Sequence, residues 1–335
     1  MKQGWWKLLA VVLLLAASIA ALRVPLAPDL VHVTPDRIAP GPVELTITGY
    51  NTHFTDGSAV YLENTDQRVC PVEVVVKDET HITARFDVPM GLKDNLTDLG
   101  VGKLRYDGAL FTEGLGEGVE SGACGPGVQK LDLSGLAFVF PNRSILYESI
   151  RNLHFHVPMW FAMIALMGIS LVFSIRTLAS NSLDHDRAAL SAMMIGLLFC
   201  ALGLVTGALW ARATWGAFWT NDVKLNGAAV TALIYLAYLV LRGSIPDAHK
   251  RARLAAIYNI FAFVLLVLFL FVLPRLNAID SLHPGNGGNS GFGDLDMDNR
   301  LRTVFYPAVL GWILLGIWMF TLRNRAARIT EQLER

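Results

Sequence analysis

His154-Phe-His156-Val-Pro158-Met-Trp160 places two imidazoles and an indole in one short run. A second run carries four aromatic rings: Trp210-Ala-Arg212-Ala-Thr-Trp215-Gly216-Ala-Phe218-Trp219-Thr-Asn-Asp222-Val-Lys224. A third, Leu282-His283-Pro284-Gly285, supplies another imidazole. Two histidines with an aromatic shelf between them suit a flat, apolar, iron-containing ligand. Imidazole is a common axial ligand of haem iron. Indole and phenyl rings can cover a porphyrin face and exclude water. Arginine or lysine at the rim can pair with propionates, and Arg212, Lys224, Arg275, Arg300 and Arg302 are available for this.

Each run also has an ordinary reading. Aromatic residues gather at membrane interfaces whatever their function, and a single interfacial histidine is usually just solvated. His154 and His156 are two residues apart, so on a helix they point to different faces, and one of them is not expected to be a ligand. The residues alone leave haem, another metal and a nonspecific interface open.

These runs are positioned by apolar blocks. The chain has 335 residues, 53% of them hydrophobic and only 17% charged, below the quarter usual for soluble domains. Its formal net charge is +0, which points away from nucleic acid. Residues Trp5 to Leu22 form a first apolar block, readable as a signal peptide or as a retained first helix, with retention favoured. Further blocks run over about 157–175, 190–209, 227–241, 254–273 and 304–322. Most approach the roughly 20 residues that cross a bilayer core, and lipid requires them to be helices. The expected fold is a mainly α polytopic membrane protein of about six helices.

Lys and Arg set the orientation. Lys2, Lys7, Arg176, Arg187, Arg242, Lys250, Arg251, Arg253, Arg323, Arg325 and Arg328 cluster at one set of helix ends. Arg23, Arg151, Arg212, Lys224, Arg275, Arg300 and Arg302 mark the other, poorer set. The first set is expected to be cytoplasmic. All three histidine and tryptophan runs then fall at the outer surface, the second as a loop between two helices.

Residues 24–140 read as an inserted all-β domain. Val43-Glu-Leu-Thr-Ile-Thr48 alternates with period two, and Val72–Val76 and His81–Phe86 follow at short spacing. Short strands at this spacing suggest a sandwich. The stretch Gly49-Tyr50-Asn51-Thr52-His53-Phe54 resembles the IPT/TIG immunoglobulin-like fold. Cys70 and Cys124 both lie in this outer segment, where disulfides persist, and their pairing stays open. Cys200 falls in an apolar block and reads as a small filler.

Trp215-Gly216-x-Phe218-Trp219-x-Asn221-Asp222 resembles the tryptophan-rich WWD motif of the haem-handling proteins of cytochrome c maturation, the CcmC/CcsA type. That motif reads approximately W-G-x-W-W-x-W-D, so Phe218 and Asn221 stand where it has tryptophan. Gly207-Ala-Leu-Trp210 also matches. The family's first axial histidine sits in an I-H-V-P stretch, matching His156-Val157-Pro158. Its second sits in an L-H-x-G stretch, matching Leu282-His283-Pro284-Gly285. The likeness spans about residues 150–325.

The resemblance implies a bacterial inner-membrane protein that holds haem b at the periplasmic face. Its axial ligands would be His156 and His283, over a shelf of Trp210, Trp215, Phe218 and Trp219 with Gly216. Asp222 would fix the loop or a nearby arginine, and Arg212 and Lys224 would complete the site. Implied partners are a haem chaperone or cytochrome c synthase components, with an attached ABC transporter complex left open. The implied domains are a helix at 1–23, a β-sandwich at 24–140, a haem-handling membrane domain at 150–325 and a cytoplasmic tail at 326–335.

The expected task is presentation of haem, with no bond-making. The first rival is a haem lyase. Relatives of that type usually carry further histidines inside the membrane helices, whereas His185 and His249 here are expected in cytoplasmic loops. The second rival is a membrane-anchored β-sandwich binding module. A diffusive haem channel is disfavoured, because no charges line the interiors of the later blocks.

Overall fold

The computed structural model describes residues 4–56, 58–63, 68–88, 94–96, 98–101, 104–106, 111–113, 138–143, 146–276, 281–283 and 297–334. Cys124, Pro284, Gly285 and the Gly/Asn-rich stretch that follows them lie outside these residues. The chain divides into two compact units, Met1–Val24 with Glu148–Arg335, and Pro25–Tyr147.

The first unit is helical. Its helices are α1 (Trp5–Arg23), α2 (Leu153–Ser180), α3 (Leu183–Trp215), α4 (Val223–Gly243), α5 (Ala248–Val267) and α6 (Asn299–Leu333). All six are long and apolar enough to cross a membrane. Aspartates start three of them. Asp222 accepts from backbone N–H groups of α4, Asp247 from Lys250 N at 2.7 Å and Asp298 from Leu301 N at 2.8 Å. Each satisfies a donor that the first helical turn leaves open. Past Val267 the winding of α5 loosens to a π-helical turn, Leu268–Val272, then tightens to a 3-10 turn, Leu273–Arg275.

Helix α2 packs most widely on α3 and next on α6, and α1 lies against α6. Met159, Met163, Leu166 and Met167 of α2 are buried with Met193, Phe199 and Cys200 of α3. Three buried polar side chains of this core, Asn259, Ser170 and Ser174, are linked across helices. Asn259 of α5 donates to the hydroxyls of Ser170 and Ser174, each at 2.8 Å, and Ser170 donates to Ala189 O at 2.8 Å.

One end of the bundle is tied by ion pairs. Arg242 of α4 makes a two-pronged bond to Asp186 of α3, at 2.6 and 2.7 Å. Arg187 binds Asp184 and reaches Glu331 of α6 at 2.6 Å. At the opposite end, Arg151 donates to Ala21 O and Val24 O, at 2.7 and 2.6 Å, closing the C-terminus of α1. The grouping of ends in the structure is therefore the one that the Lys/Arg pattern suggests.

The second unit is all β. Its strands are β1 (Asp29–Thr34), β2 (Arg37–Ile38), β3 (Gly41–Tyr50), β4 (Val60–Glu63), β5 (Arg68–Val69), β6 (Glu73–Asp78), β7 (His81–Val88), β8 (Asp94–Leu96), β9 (Asp98–Val101), β10 (Leu104–Arg105) and β11 (Phe111–Glu113). They form sheets of order β1-β3-β7-β6, β10-β9-β4-β5 and β2-β11-β8. The long β3–β7 ladder runs antiparallel from Gly41↔Val88 to Thr48↔His81. Leu45 and Ile47 of β3, Ile82, Ala84 and Phe86 of β7, and Leu62 and Leu99 of β4 and β9 share one buried cluster. Cys70 is disulfide-bonded, and Cys200 is a buried free thiol.

Two expectations need correction. The helices run well past the apolar blocks, because their charged and polar ends are capped or ion-paired instead of unwinding. His185 and His249 therefore sit in the first turns of α3 and α5, not in loops. The aromatic run is mostly helical too. Trp210, Arg212 and Trp215 belong to the last turns of α3 and Lys224 to the first turn of α4, leaving only 216–222 as a loop. Gly216 ends α3 with φ +78°, a left-handed conformation that glycine adopts without steric cost.

Candidate functional site

His156 enters the bundle one turn into α2. Its Nδ1 lies 3.1 Å from Thr206 Oγ1 on α3. The Thr206 hydroxyl hydrogen is directed at the carbonyls of Leu202 and Gly203, at 2.8 and 3.2 Å. The Thr206 oxygen therefore accepts from the imidazole, so the proton is on Nδ1 and the ring lone pair is on Nε2. Edge-to-face rings flank the imidazole: Trp160 at 6.2 Å and Trp210 at 5.8 Å.

Close helix approach makes this seat possible. A Cβ on Gly203 would meet the Trp160 indole at 2.8 Å, and one on Gly207 would meet His156 Cε1 at 2.7 Å. Two glycines one turn apart thus form a notch in α3 that receives Trp160 and His156. Asn152, just ahead of α2, adds a bond to Thr206 O at 3.0 Å. Trp210 is fixed by its Nε1–H, which donates to Ser149 Oγ at 3.1 Å.

His283 is held differently. Its Nδ1 lies 3.1 Å from Asp222 Oδ1, and Trp215 stands edge-to-face to it at 5.2 Å. Asp222 is only 3% exposed. Its Oδ1 also accepts from Lys224 N and Leu225 N at 2.9 and 3.2 Å. Its Oδ2 accepts from Ser281 Oγ and Leu282 N at 2.7 and 2.8 Å. Burial would raise the pKa of this carboxyl, but the bonds from His283, Ser281 and Leu282 outweigh it. The group is held below the usual carboxylate range.

Helix α3 links the two histidines. Trp210 touches His156 and Trp215 touches His283, about 7.5 Å apart along the helix axis. Phe218 and Trp219 stand outside this contact set and are exposed. The Trp219 Nε1–H donates to Asn226 Oδ1 at 3.2 Å, and the Arg212 guanidinium lies 5.8 Å from the centre of the Phe218 ring while bonding Gly216 O. Lys224 is half-buried in the first turn of α4. Arg275 turns back onto its own helix, against Phe271. Arg302 bonds Asn299 at 3.2 Å. His154 is 1% exposed and lies on the buried face of α2.

The donor set fits an iron porphyrin. It offers two imidazoles, each with an oxygen partner at Nδ1, indoles at both, and cations on the same helix ends. Among the described residues, no group of three or more His, Cys, Asp or Glu could hold a bare metal ion. Thr206, Ser149 and Ser281 were not legible as site residues, because single hydroxyls leave no periodic signal. The capping role of Asp222 was legible in principle, as an aspartate directly before an apolar helical run.

The profile of the family "Heme exporter protein C" matches residues 132–335. A protein of that name from Haemophilus influenzae is 27% identical over 204 residues, covering 60% of this chain and 80% of the relative. Another from Bradyrhizobium diazoefficiens is 25% identical over 180 residues, 54% of this chain and 68% of the relative. "Cytochrome c biogenesis protein CcsA" of Prochlorococcus marinus is 38% identical over 77 residues, 23% of this chain and 25% of the relative.

Proposed function

Because the chain belongs to the Heme exporter protein C family, whose profile spans more than half of it, we propose that it binds haem b and passes it on during c-type cytochrome maturation. His156 and His283 are the axial ligands, and Trp210 and Trp215 flank the ring. Phe218 and Trp219 are exposed, which suits rings that close over a ligand or meet a partner. Arg212 and Lys224 pair with propionates, and Gly216 sets the turn between the two aromatic pairs.

One observation carries this reading. Each histidine has an acceptor at Nδ1, Thr206 for one and Asp222 for the other. Metal-binding histidines are commonly oriented in this way. The site faces the periplasm in a multi-pass inner-membrane protein, on the Lys/Arg pattern. The haem goes to a haem chaperone or synthase component, and this chain makes no covalent bond to it. Residues 24–140 form an immunoglobulin-like sandwich inserted ahead of the membrane domain at 150–325.

The test is a visible spectrum of the full chain purified from haem-replete cells. A bis-histidine, low-spin haem is expected. A chain that carries no haem under these conditions would overturn the proposal.

A further inference from the structure

Building on the haem reading above, we propose that Asp222 is a positioning residue that makes the two axial histidines unequal, with His283 the firm ligand and His156 the one a partner displaces. The argument starts from the acceptors. An ionised carboxylate has no proton to give, so the 3.1 Å contact between His283 Nδ1 and Asp222 Oδ1 fixes the proton on the ring. Nε2 then carries the lone pair. A carboxylate acceptor also makes the imidazole more basic than a neutral one does.

His156 has the same tautomer but a weaker acceptor. Its partner is the Thr206 hydroxyl, already polarised toward the Leu202 and Gly203 carbonyls. The two acceptors also differ in rigidity. The Asp222 carboxylate accepts five bonds and joins the start of α4 to the Ser281–His283 segment. Moving His283 would break several of them at once. Moving His156 breaks only bonds to neutral groups, the Thr206 hydroxyl and the Gly203 backbone. Ligand exchange therefore opens on the His156 side, and haem stays anchored through His283 while a new ligand arrives.

The test uses the full-length chain in detergent with haem bound. Asp222→Asn keeps a side chain that caps helices well but removes the charge. A raised haem midpoint potential is expected, with a smaller rise for Thr206→Val. A purely structural role for Asp222 would lower haem content and leave the potential of the remaining haem unmoved. An unchanged potential in Asp222→Asn, or an equal or larger rise in Thr206→Val, overturns the inference.

A second measurement leaves Asp222 intact. In His283→Gly, imidazole can donate to Asp222, whereas 1-methylimidazole cannot. Imidazole should restore the low-spin spectrum at a concentration lower by about tenfold or more, the worth of one bond to a charged group. Equal potency overturns the inference. Failure of the haem reading itself is distinguishable, because the wild-type chain would then show no low-spin haem, or His283→Ala would leave the spectrum unaltered.

Discussion

Gly207 and His156 stand so close that a single added carbon would separate them. A Cβ on Gly207 would lie 2.7 Å from His156 Cε1, inside any normal contact distance. The imidazole would have to tilt, and its 3.1 Å bond to Thr206 would stretch. Gly207→Ala is therefore expected to destabilise the bundle by about 1–3 kcal/mol and to cut the low-spin haem fraction. Gly168→Ala is the control, since nothing lies within 4 Å of a Cβ there. It should be neutral or slightly stabilising, through the better helix propensity of alanine. Spectra and thermal melts of the two variants decide the matter; equal behaviour would argue against the notch.

The histidines can be separated by substitution. His156→Ala and His283→Ala should each shift the oxidised spectrum from low-spin toward high-spin, and haem should be lost more readily on purification. Added imidazole should partly restore the low-spin form. His154→Ala should leave the spectrum nearly unchanged, because two residues along a helix turn that ring to a different face from His156. If His154→Ala removes haem and His156→Ala does not, the ligand assignment is in the wrong register.

The Asp186–Arg242 pair should matter for stability and not for haem. Both side chains are 10% exposed and joined by two bonds. Removing one partner strands a buried charge, so Arg242→Ala is expected to cost about 3–5 kcal/mol. Replacing both by apolar residues of similar size should recover much of that. A thermal melt in detergent reads the loss, and a haem spectrum unchanged in the surviving protein separates this end of the bundle from the site.

Thiol counting tests the outer unit. Cys70 is disulfide-bonded and Cys200 is free and buried. Denaturation without reductant should expose a single reactive thiol per chain, and Cys200→Ser should abolish it. Three reactive thiols would mean that Cys70 is not bridged.

Orientation is tested by reporters. A reporter fused after Arg335 should be active in the cytoplasm, and one inserted near Gly118 should be outside. An outside C-terminus would put His156 and His283 on the wrong face for the proposed transfer.

Much of the helix and strand arrangement is legible in the sequence. The alternation of Val43–Thr48 became the centre of β3, buried at Leu45 and Ile47. The apolar blocks became helices because lipid leaves the backbone no other way to satisfy its hydrogen bonds. The helix ends were less legible. Polar residues such as His185 and Arg328 do not look like membrane helix, yet the Arg187–Glu331 ion pair ties their segments together. In the site, the histidines and tryptophans stood out by type. Their supports did not, because Thr206 and Ser281 reach the site through hydroxyl hydrogen bonds fixed only when distant segments meet.

The π-helical turn at Leu268–Val272 has the geometry of one residue inserted into an α-helix. Everything beyond it is therefore rotated by about 100° from where an unbroken helix would carry it. Arg275 starts from this offset. The turn works as a phase shifter, and its phase can be reset by genetic means. Deleting one residue between Leu268 and Val272 would let α5 run on as plain α-helix, no less stable in itself, yet aim the following segment in a different direction. The helix would survive a one-codon loss, whereas the placing of Arg275 against Phe271 would not.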